Sequence, residues 1–458
     1  MTLQFDAIVI GTGQAGPALA ARLDATDMRV AVIERQRFGG TCVNTGCMPT
    51  KTMVASAYAA HLTRRAADYG VTIAGGITVD MRRVHERAQA VASTSSGNVE
   101  RWMRGLKYGQ VFQDHGRLVS ADTVAVGAEQ LSAPRIFIDV GARALVPPLP
   151  GLERVPYLTN SSLMTVDYLP AHLLIVGGSY VGLEFAQMFR RFGSQVTVIE
   201  RGTRLLPRED PEVAKTVQEI LVAEGVTIET GADCLSVEGE AGHVVVSAAC
   251  GAGQRCFEGS HLLLAMGRQP NTDDLGLELA GVQHDKRGFI QVDEQCRTNV
   301  PGIWALGECN GRGAFTHTAY NDYEIVAASL LDEPPRSLSD RIPCYALFID
   351  PPLARIGLTE TEARKQGHRL LVGTRPMTRV GRAVERGETL GFIKIVVDAD
   401  SEKILGASIL GVSGDEAIHC LLDTMYAGVS YKTVARAVHI HPTVAELLPT
   451  VLQDLRPA

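Results

Sequence analysis

One pattern limits what this chain can fold into more than any other, because it occurs twice with the same internal spacing. Residues 5–16 read FDAIVIGTGQAG, an apolar run followed by Gly11, Gly13 and Gly16, and the small-residue stretch PALAARLDA comes next. An apolar strand feeding a G-x-G-x-x-G turn and then a helix lets backbone approach a pyrophosphate at a helix N-terminus. A second strand, MRVAVIE, ends at Glu34, twenty-three residues after Gly11, where a carboxylate can accept from an adenosine ribose hydroxyl. The segment HLLIVGGSYVGLEFAQMF repeats the arrangement with Gly177, Gly178 and Gly182, and SQVTVIE ends at Glu200, again twenty-three residues after the first glycine. Two such units predict two dinucleotides. In the second turn Ser179 stands where the middle glycine falls, a small residue that admits a phosphate less freely. Glu200 favours an unphosphorylated ribose and hence NADH over NADPH, a preference that Arg201, Arg204 and Arg208 can soften.

Between the two units, residues 39–51 read GGTCVNTGCMPTK. The chain has nine cysteines, an odd number at irregular spacing, so a disulfide scaffold is excluded. Cys234, Cys250, Cys256, Cys296, Cys309, Cys344 and Cys420 read as isolated thiols, and only Cys42 and Cys47 form a close pair. A close pair in a reducing compartment is redox-active or metal-binding, and zinc would need two further ligands that are not nearby. Both cysteines lie just ahead of the helical run PTKTMVASAYAAHL, so a helix N-terminus and Lys51 are available to lower a thiol pKa.

Composition closes off other classes. Of 458 residues, 45% are hydrophobic and 21% charged, ordinary globular values. The formal charge of −7 comes without a basic tract, which argues against nucleic acid and against an anionic membrane surface. No apolar run approaches the ~20 residues that span a bilayer. The chain starts at once on DAIVIG without the pattern of a signal peptide, so a cytoplasmic location is expected.

With a redox pair behind one nucleotide unit and a second unit downstream, the sequence resembles the class I pyridine nucleotide–disulfide oxidoreductases from end to end. That family includes dihydrolipoamide dehydrogenase, glutathione reductase and mercuric reductase. GGTCVNTGCMPTK looks like its redox-disulfide signature, LLLAMGRQPN at 262–271 like the segment closing the nicotinamide domain at Gly267, and TNVPGIWALGECNG at 298–311 like the second FAD contact. HIHPTVAE at 439–446 looks like the His–Pro–Thr–x–x–Glu base motif. The resemblance implies an α/β fold with two Rossmann-like domains, for FAD and NAD(P), and a C-terminal α+β dimerisation domain. Its implied boundaries are an FAD domain at 1–148, an NAD(P) domain at 149–268, a central segment at 269–340 that returns to the flavin, and a dimerisation domain at 341–458. The proline-rich segments VPPLPG and DEPPRS fit two of them.

Roles follow from the same resemblance. Cys47 faces the flavin and Cys42 exchanges with substrate, Lys51 sits beside flavin N5 paired with Glu184, and Tyr180 matches the gate over the nicotinamide pocket. Gly307 and Glu308 match the ribityl contact, where Glu308 replaces the usual Asp, and His317 falls where the family meets the flavin ring. His441 and Glu446 supply a proton to a departing thiolate across a homodimer; His439 has no assigned partner. Electrons then run from NADH through FAD and the Cys42–Cys47 disulfide to a small-molecule or metal-ion acceptor. FIDPPLARIGLTE at 348–360 and NGRGAFTHTAYNDYEIV at 310–326 are closer to the mercuric-reductase-like branch that includes a bacterial copper(II) reductase. The expected acceptor is therefore Cu(II), with Hg(II) a poorer choice because the sequence shows no C-terminal cysteine pair, and lipoamide the alternative. A flavin-holding sensor without turnover is the reading from another class, and the intact Cys42, Cys47 and His441 argue against it.

Overall fold

The computed structural model describes residues 2–250, 253–331 and 334–458. Asp332 and Glu333, which open the proline-rich segment DEPPRS, and the side chain of Cys250 lie outside the described residues.

Ala7–Ile10 is apolar at four successive positions and buried at all four, because both faces of its strand are covered. Ala7 and Val9 pack in one core with Leu19 and Leu23 of the helix Gly16–Asp24 and with Ile325 and Val326 of the helix Thr316–Leu330. Ile8 and Ile10 pack in another with Leu118, Val124 and Leu131 of an antiparallel meander. The strand centres a five-stranded parallel sheet in the order 303–305, 136–138, 7–10, 30–33, 110–112. Its outermost strand, Ile303–Ala305, comes from far along the chain and pairs with Ile136–Ile138, so this unit is assembled from two separate stretches of sequence.

The second nucleotide unit is a four-stranded parallel sheet in the order 227–230, 195–200, 172–176, 261–264. A three-stranded antiparallel sheet, 232–240, 243–250 and 253–259, extends from it. The chain leaves and re-enters the first unit side by side, where Ala142–Ala144 pairs with Arg268–Pro270. The C-terminal unit is an antiparallel sheet of six strands, in the order 344–347, 353–357, 404–410, 392–398, 370–376, 456–457, with helices including His419–Tyr426 and Leu447–Gln453 on it.

Buried ion pairs tie the units together. Arg191 bonds Glu224 and Asp350 at 2.7 Å each, and Lys394 of the C-terminal sheet reaches Asp210 at 3.0 Å, Glu360 at 2.7 Å and also Glu212. Among the described residues no helix is long and apolar enough to cross a membrane.

Candidate active site

A cavity of about 2500 Å3 opens where the three units meet, and it reaches from Gly11, Gly13 and Glu34 past Cys42 and Cys47 to Glu184 and Tyr180. The first glycine turn forms one end. Gly11 has φ +103°, and a Cβ there would lie 2.2 Å from the Asp139 carbonyl oxygen, so only glycine fits. Glu34 accepts from the Thr12 amide at 3.1 Å, from the Thr12 hydroxyl at 2.5 Å and from the Gln36 amide at 2.8 Å, which fixes its carboxylate at the rim.

The cysteines sit differently from the sequence reading, which put both ahead of one helix. Cys42 lies inside a short helix, Gly40–Asn44, and Cys47 opens the long helix Cys47–Arg64. Both are free thiols. Cys47 faces the cavity with the Thr316 hydroxyl 3.5 Å from its sulfur. The Cys42 thiol beside it, then Thr316 and the Lys51 ammonium, bring the Cys47 pKa down to about 6 against the opposing effect of burial. The same contact with Cys47, together with burial, raises the Cys42 pKa well above the usual thiol value. One thiolate and one thiol therefore coexist at neutral pH, with the negative charge on Cys47.

One turn along the same helix, Lys51 Nζ bonds Glu184 Oε2 at 2.7 Å and lies 4.6 Å from the centre of the Phe348 ring. Glu184 is held in turn by the Phe348 amide, which donates to Oε1 at 2.9 Å. An ion pair thus links the redox helix to the helix Tyr180–Phe192 of the second nucleotide unit. Tyr180 meets Tyr345 edge-on at 5.3 Å, Tyr345 stacks on Phe315 at 5.6 Å, and Phe315 stacks on His317 at 5.4 Å. The His317 Nε2–H donates to the Cys344 carbonyl at 2.8 Å, and burial lowers its pKa, so the ring is neutral with Nδ1 as its acceptor. Tyr345 is anchored by its phenol donating to Glu209, which the buried Arg355 faces.

The remaining residues singled out from sequence divide into those at the cavity and those away from it. Gly267, with φ +124°, and Glu308 line it. The Glu308 carboxylate is paired with Arg268, a partner that the sequence reading did not give it. Gly307 donates its N–H to Asp322 at 2.8 Å. Gly16, Gly177, Gly178, Gly182, Glu200 and Arg201 lie outside the lining. Gly182 lets its helix approach the turn, since a Cβ there would lie 2.1 Å from the Gly177 carbonyl oxygen. Glu200 accepts from the Gly178 and Gly202 amides, both at 2.6 Å. Arg204 folds back onto the carbonyls of Pro207 and Glu209, whereas Arg208 lines the cavity. His441 and Glu446 lie away from the cavity of their own chain, with His441 Nδ1 2.8 Å from Glu446 Oε2 and the imidazole 79% exposed. Val438 and Ile440 beside them are 98% and 80% exposed.

Sequence reasoning missed Thr316, Tyr345, Phe348 and Asp139. Thr316 neighbours His317, so its place could have been read from the same segment; the others reach the site only through tertiary contacts.

The family model for pyridine nucleotide-disulphide oxidoreductases matches residues 5–322, and the model for their dimerisation domain matches residues 344–452. The chain belongs to the pyridine nucleotide-disulphide oxidoreductases. Within that family it is 35% identical over 454 residues to the probable pyridine nucleotide-disulfide oxidoreductase RclA of Escherichia coli, covering 97% of this chain and 98% of that protein. It is 30% identical to a dihydrolipoyl dehydrogenase of Bacillus subtilis, over 97% of this chain and 95% of that one, and 30% identical to a mercuric reductase of Bacillus cereus, over 96% and 70%. The solved Cu(II) complex of the HOCl-induced flavoprotein disulfide reductase RclA from Escherichia coli superposes with a TM-score of 0.89 at 33% identity, covering 98% of this chain and 99% of that one.

As a family member the chain is a flavin-dependent oxidoreductase that uses FAD and NAD(P)H, and its dimerisation domain marks a homodimer. The first turn fits the flavin nucleotide: its glycines leave no room for side chains, Gly11, Gly13 and Gln14 line the cavity just ahead of the helix, and Glu34 stands at the rim with its carboxylate already oriented. Among the described residues no cluster of three or more His, Cys, Asp or Glu is disposed to hold a metal ion.

Proposed function

We propose that this chain passes electrons from NADH through its Cys42–Cys47 pair to a thiol-reactive metal ion, Cu(II) ahead of Hg(II), in the cytoplasm. FAD supplies the two-electron link between pyridine nucleotide and thiols when bound. Lys51, held by Glu184, sets a positive charge one helical turn from Cys47, where it favours negative charge on the sulfur and on a reduced ring alike. One NADH and the disulfide give NAD+, one thiol and one thiolate. Two Cu(II) ions then take one electron each, the S–S bond re-forms, and the thiol proton is released.

The observation that carries this reading is the polarised pair: a thiolate at Cys47 open to the cavity beside a thiol at Cys42 is a soft donor set for a borderline or soft ion. The similarity to RclA, solved as a Cu(II) complex, supports it. The homodimer enters because His441 and Glu446 lie on an exposed apolar segment away from their own cavity, which fits a site completed by the second subunit.

One observation favours lipoamide as a second reading. His441 bonded to Glu446 is a general acid ready for a leaving thiolate, which disulfide exchange needs and metal reduction does not. Parallel NADH-oxidation assays with oxidised lipoamide, glutathione disulfide, Cu(II) and Hg(II), each repeated with His441→Ala, separate the two. Metal-dependent turnover that survives the substitution is expected; fast lipoamide turnover that collapses in the variant, with negligible metal reduction, overturns the metal reading.

A further inference from the structure

The three glycines of the first turn make room for a residue that their pattern does not mark. A Cβ on Gly13 would lie 2.8 Å from Asp139 Oδ2, and one on Gly16 would lie 2.9 Å from the same oxygen. From another segment, a Cβ on Gly307 would stand 3.2 Å from Oδ1. The Gly16 N–H donates to Oδ2 at 2.7 Å, so the Asp139 carboxyl occupies the open end of the helix Gly16–Asp24, and the residue is only 5% exposed. That helix end is also where a dinucleotide fold of this kind receives the diphosphate of its ligand. Two anions cannot share one helix N-terminus in a buried site without a large electrostatic cost.

The groups around Asp139 do not relieve that conflict. Glu34, at the end of the strand Val30–Ile33, and Asp322, on the helix Thr316–Leu330, are both carboxylates; Thr12 answers the first and Arg341 the second. Cys309, in the turn Gly307–Asn310, is a buried thiol whose pKa is raised by burial and then by Asp139 itself. Burial pushes the Asp139 carboxyl up to about 8, with Asp322 and Glu34 adding to the rise and amide bonds from Gly16 and Gly13 opposing it. The protonated carboxyl keeps an acceptor for the Gly16 amide and gains an O–H donor.

We propose that Asp139 is a cofactor-binding residue that accommodates FAD only in its protonated form, so that flavin binding keeps or takes up a proton at this carboxyl. The sign follows from linkage. A bound diphosphate raises the carboxyl pKa further, so affinity is full below the value of the flavin-free protein and falls above it, by up to about tenfold per pH unit. This is independent of which acceptor the enzyme reduces.

The test reads flavin release rather than turnover. Holoenzyme is diluted serially in buffers between about pH 6.5 and 9.5, a span chosen to bracket the carboxyl, and released FAD is read by its fluorescence to give a dissociation constant at each pH. The wild-type constant is expected to stay level to about pH 8 and then climb by up to about tenfold per unit. Asp139→Asn, which keeps shape and an acceptor but cannot ionise, is expected to give a level profile; Asp139→Ser serves as a smaller neutral replacement where the amide does not fold. A wild-type profile that stays level, or a folded neutral variant that keeps the wild-type slope, overturns the proposal.

Discussion

Both oxygens of the Glu308 carboxylate are held by Arg268, Nε to Oε1 at 3.0 Å and Nη2 to Oε2 at 2.8 Å. The same guanidinium donates to the Ala142 carbonyl at 2.7 Å, so it clamps the short helix carrying Gly307 and Glu308 to the edge of the first unit. Arg268→Met leaves the carboxylate partly buried without a counter-charge. Stability is expected to fall by about 1–2 kcal/mol, less than for a fully buried pair because both side chains keep some solvent contact. Flavin content after purification should fall with it. Urea midpoints and flavin-to-protein ratios for Arg268→Met, and for Glu308→Asp, whose shorter arm cannot keep both bonds, provide the check. Unchanged values in both variants would show that the clamp does not hold the cofactor segment.

Cys47, whose charge Lys51 favours, should report its own ionisation. A long-wavelength thiolate-to-flavin band is expected in the partly reduced enzyme, growing in as pH rises through about 6, the Cys47 value, and lost below it. Cys42→Ser should show the band without reduction, because Cys47 is then a free thiolate with a hydroxyl donor beside it. In Cys42→Ala that donor is gone, and the midpoint should move upward. Absorbance titrations of these variants decide it; a band kept in Cys47→Ser and lost in Cys42→Ser reverses the roles of the two sulfurs.

Nucleotide choice is expected to turn on Glu200. Its carboxylate is fixed by two backbone amides, and Arg204 is committed to carbonyls of its own loop, which leaves a 2′-phosphate facing an oriented negative charge with less basic compensation than the sequence offers. NADH should be preferred by at least about tenfold in kcat/KM, equivalent to a ~1.4 kcal/mol penalty on the phosphorylated nucleotide. Glu200→Gln should narrow the gap. Steady-state comparison of both nucleotides tests this, and a native NADPH preference would hand control of the ribose to Arg201 or Arg208.

Subunit exchange addresses whether each site draws on both chains. Cys42→Ser and His441→Ala homodimers should each lack disulfide reductase activity. An equal mixture allowed to exchange should recover about a quarter of the wild-type rate, since half the dimers are mixed and each keeps one complete site. No recovery after exchange is verified by mass would place disulfide and base on the same chain.

The parts of the site written in local spacing were legible in the sequence, and those written in tertiary contact were not. The glycine turns could be read because Gly11 and Gly177, at φ +103° and +119°, tolerate no side chain and leave a periodic mark. Cys42 with Cys47, and His441 with Glu446, are five residues apart and show in any window. Asp139, by contrast, lies 123 residues from the Gly16 amide it accepts from, and Tyr345 lies 136 residues from Glu209. The helix boundary at Cys47 was misplaced because Pro49 tolerates the first turn of a helix as readily as it precedes one.

Lys394 sets a limit on how freely the parts of this molecule can be exchanged. It is a strand residue of the C-terminal sheet, only 4% exposed in its side chain, yet two of its three carboxylates, Asp210 and Glu212, belong to the second nucleotide unit. A chimera that imported a nucleotide unit with other residues at those positions would leave the buried ammonium with Glu360 as the one of the three still in place, so part of its compensation is lost and stability falls. Swapping nucleotide specificity by domain grafting therefore requires the grafted unit to keep Asp at position 210 and Glu at position 212, so the C-terminal sheet constrains the sequence of the unit beside it.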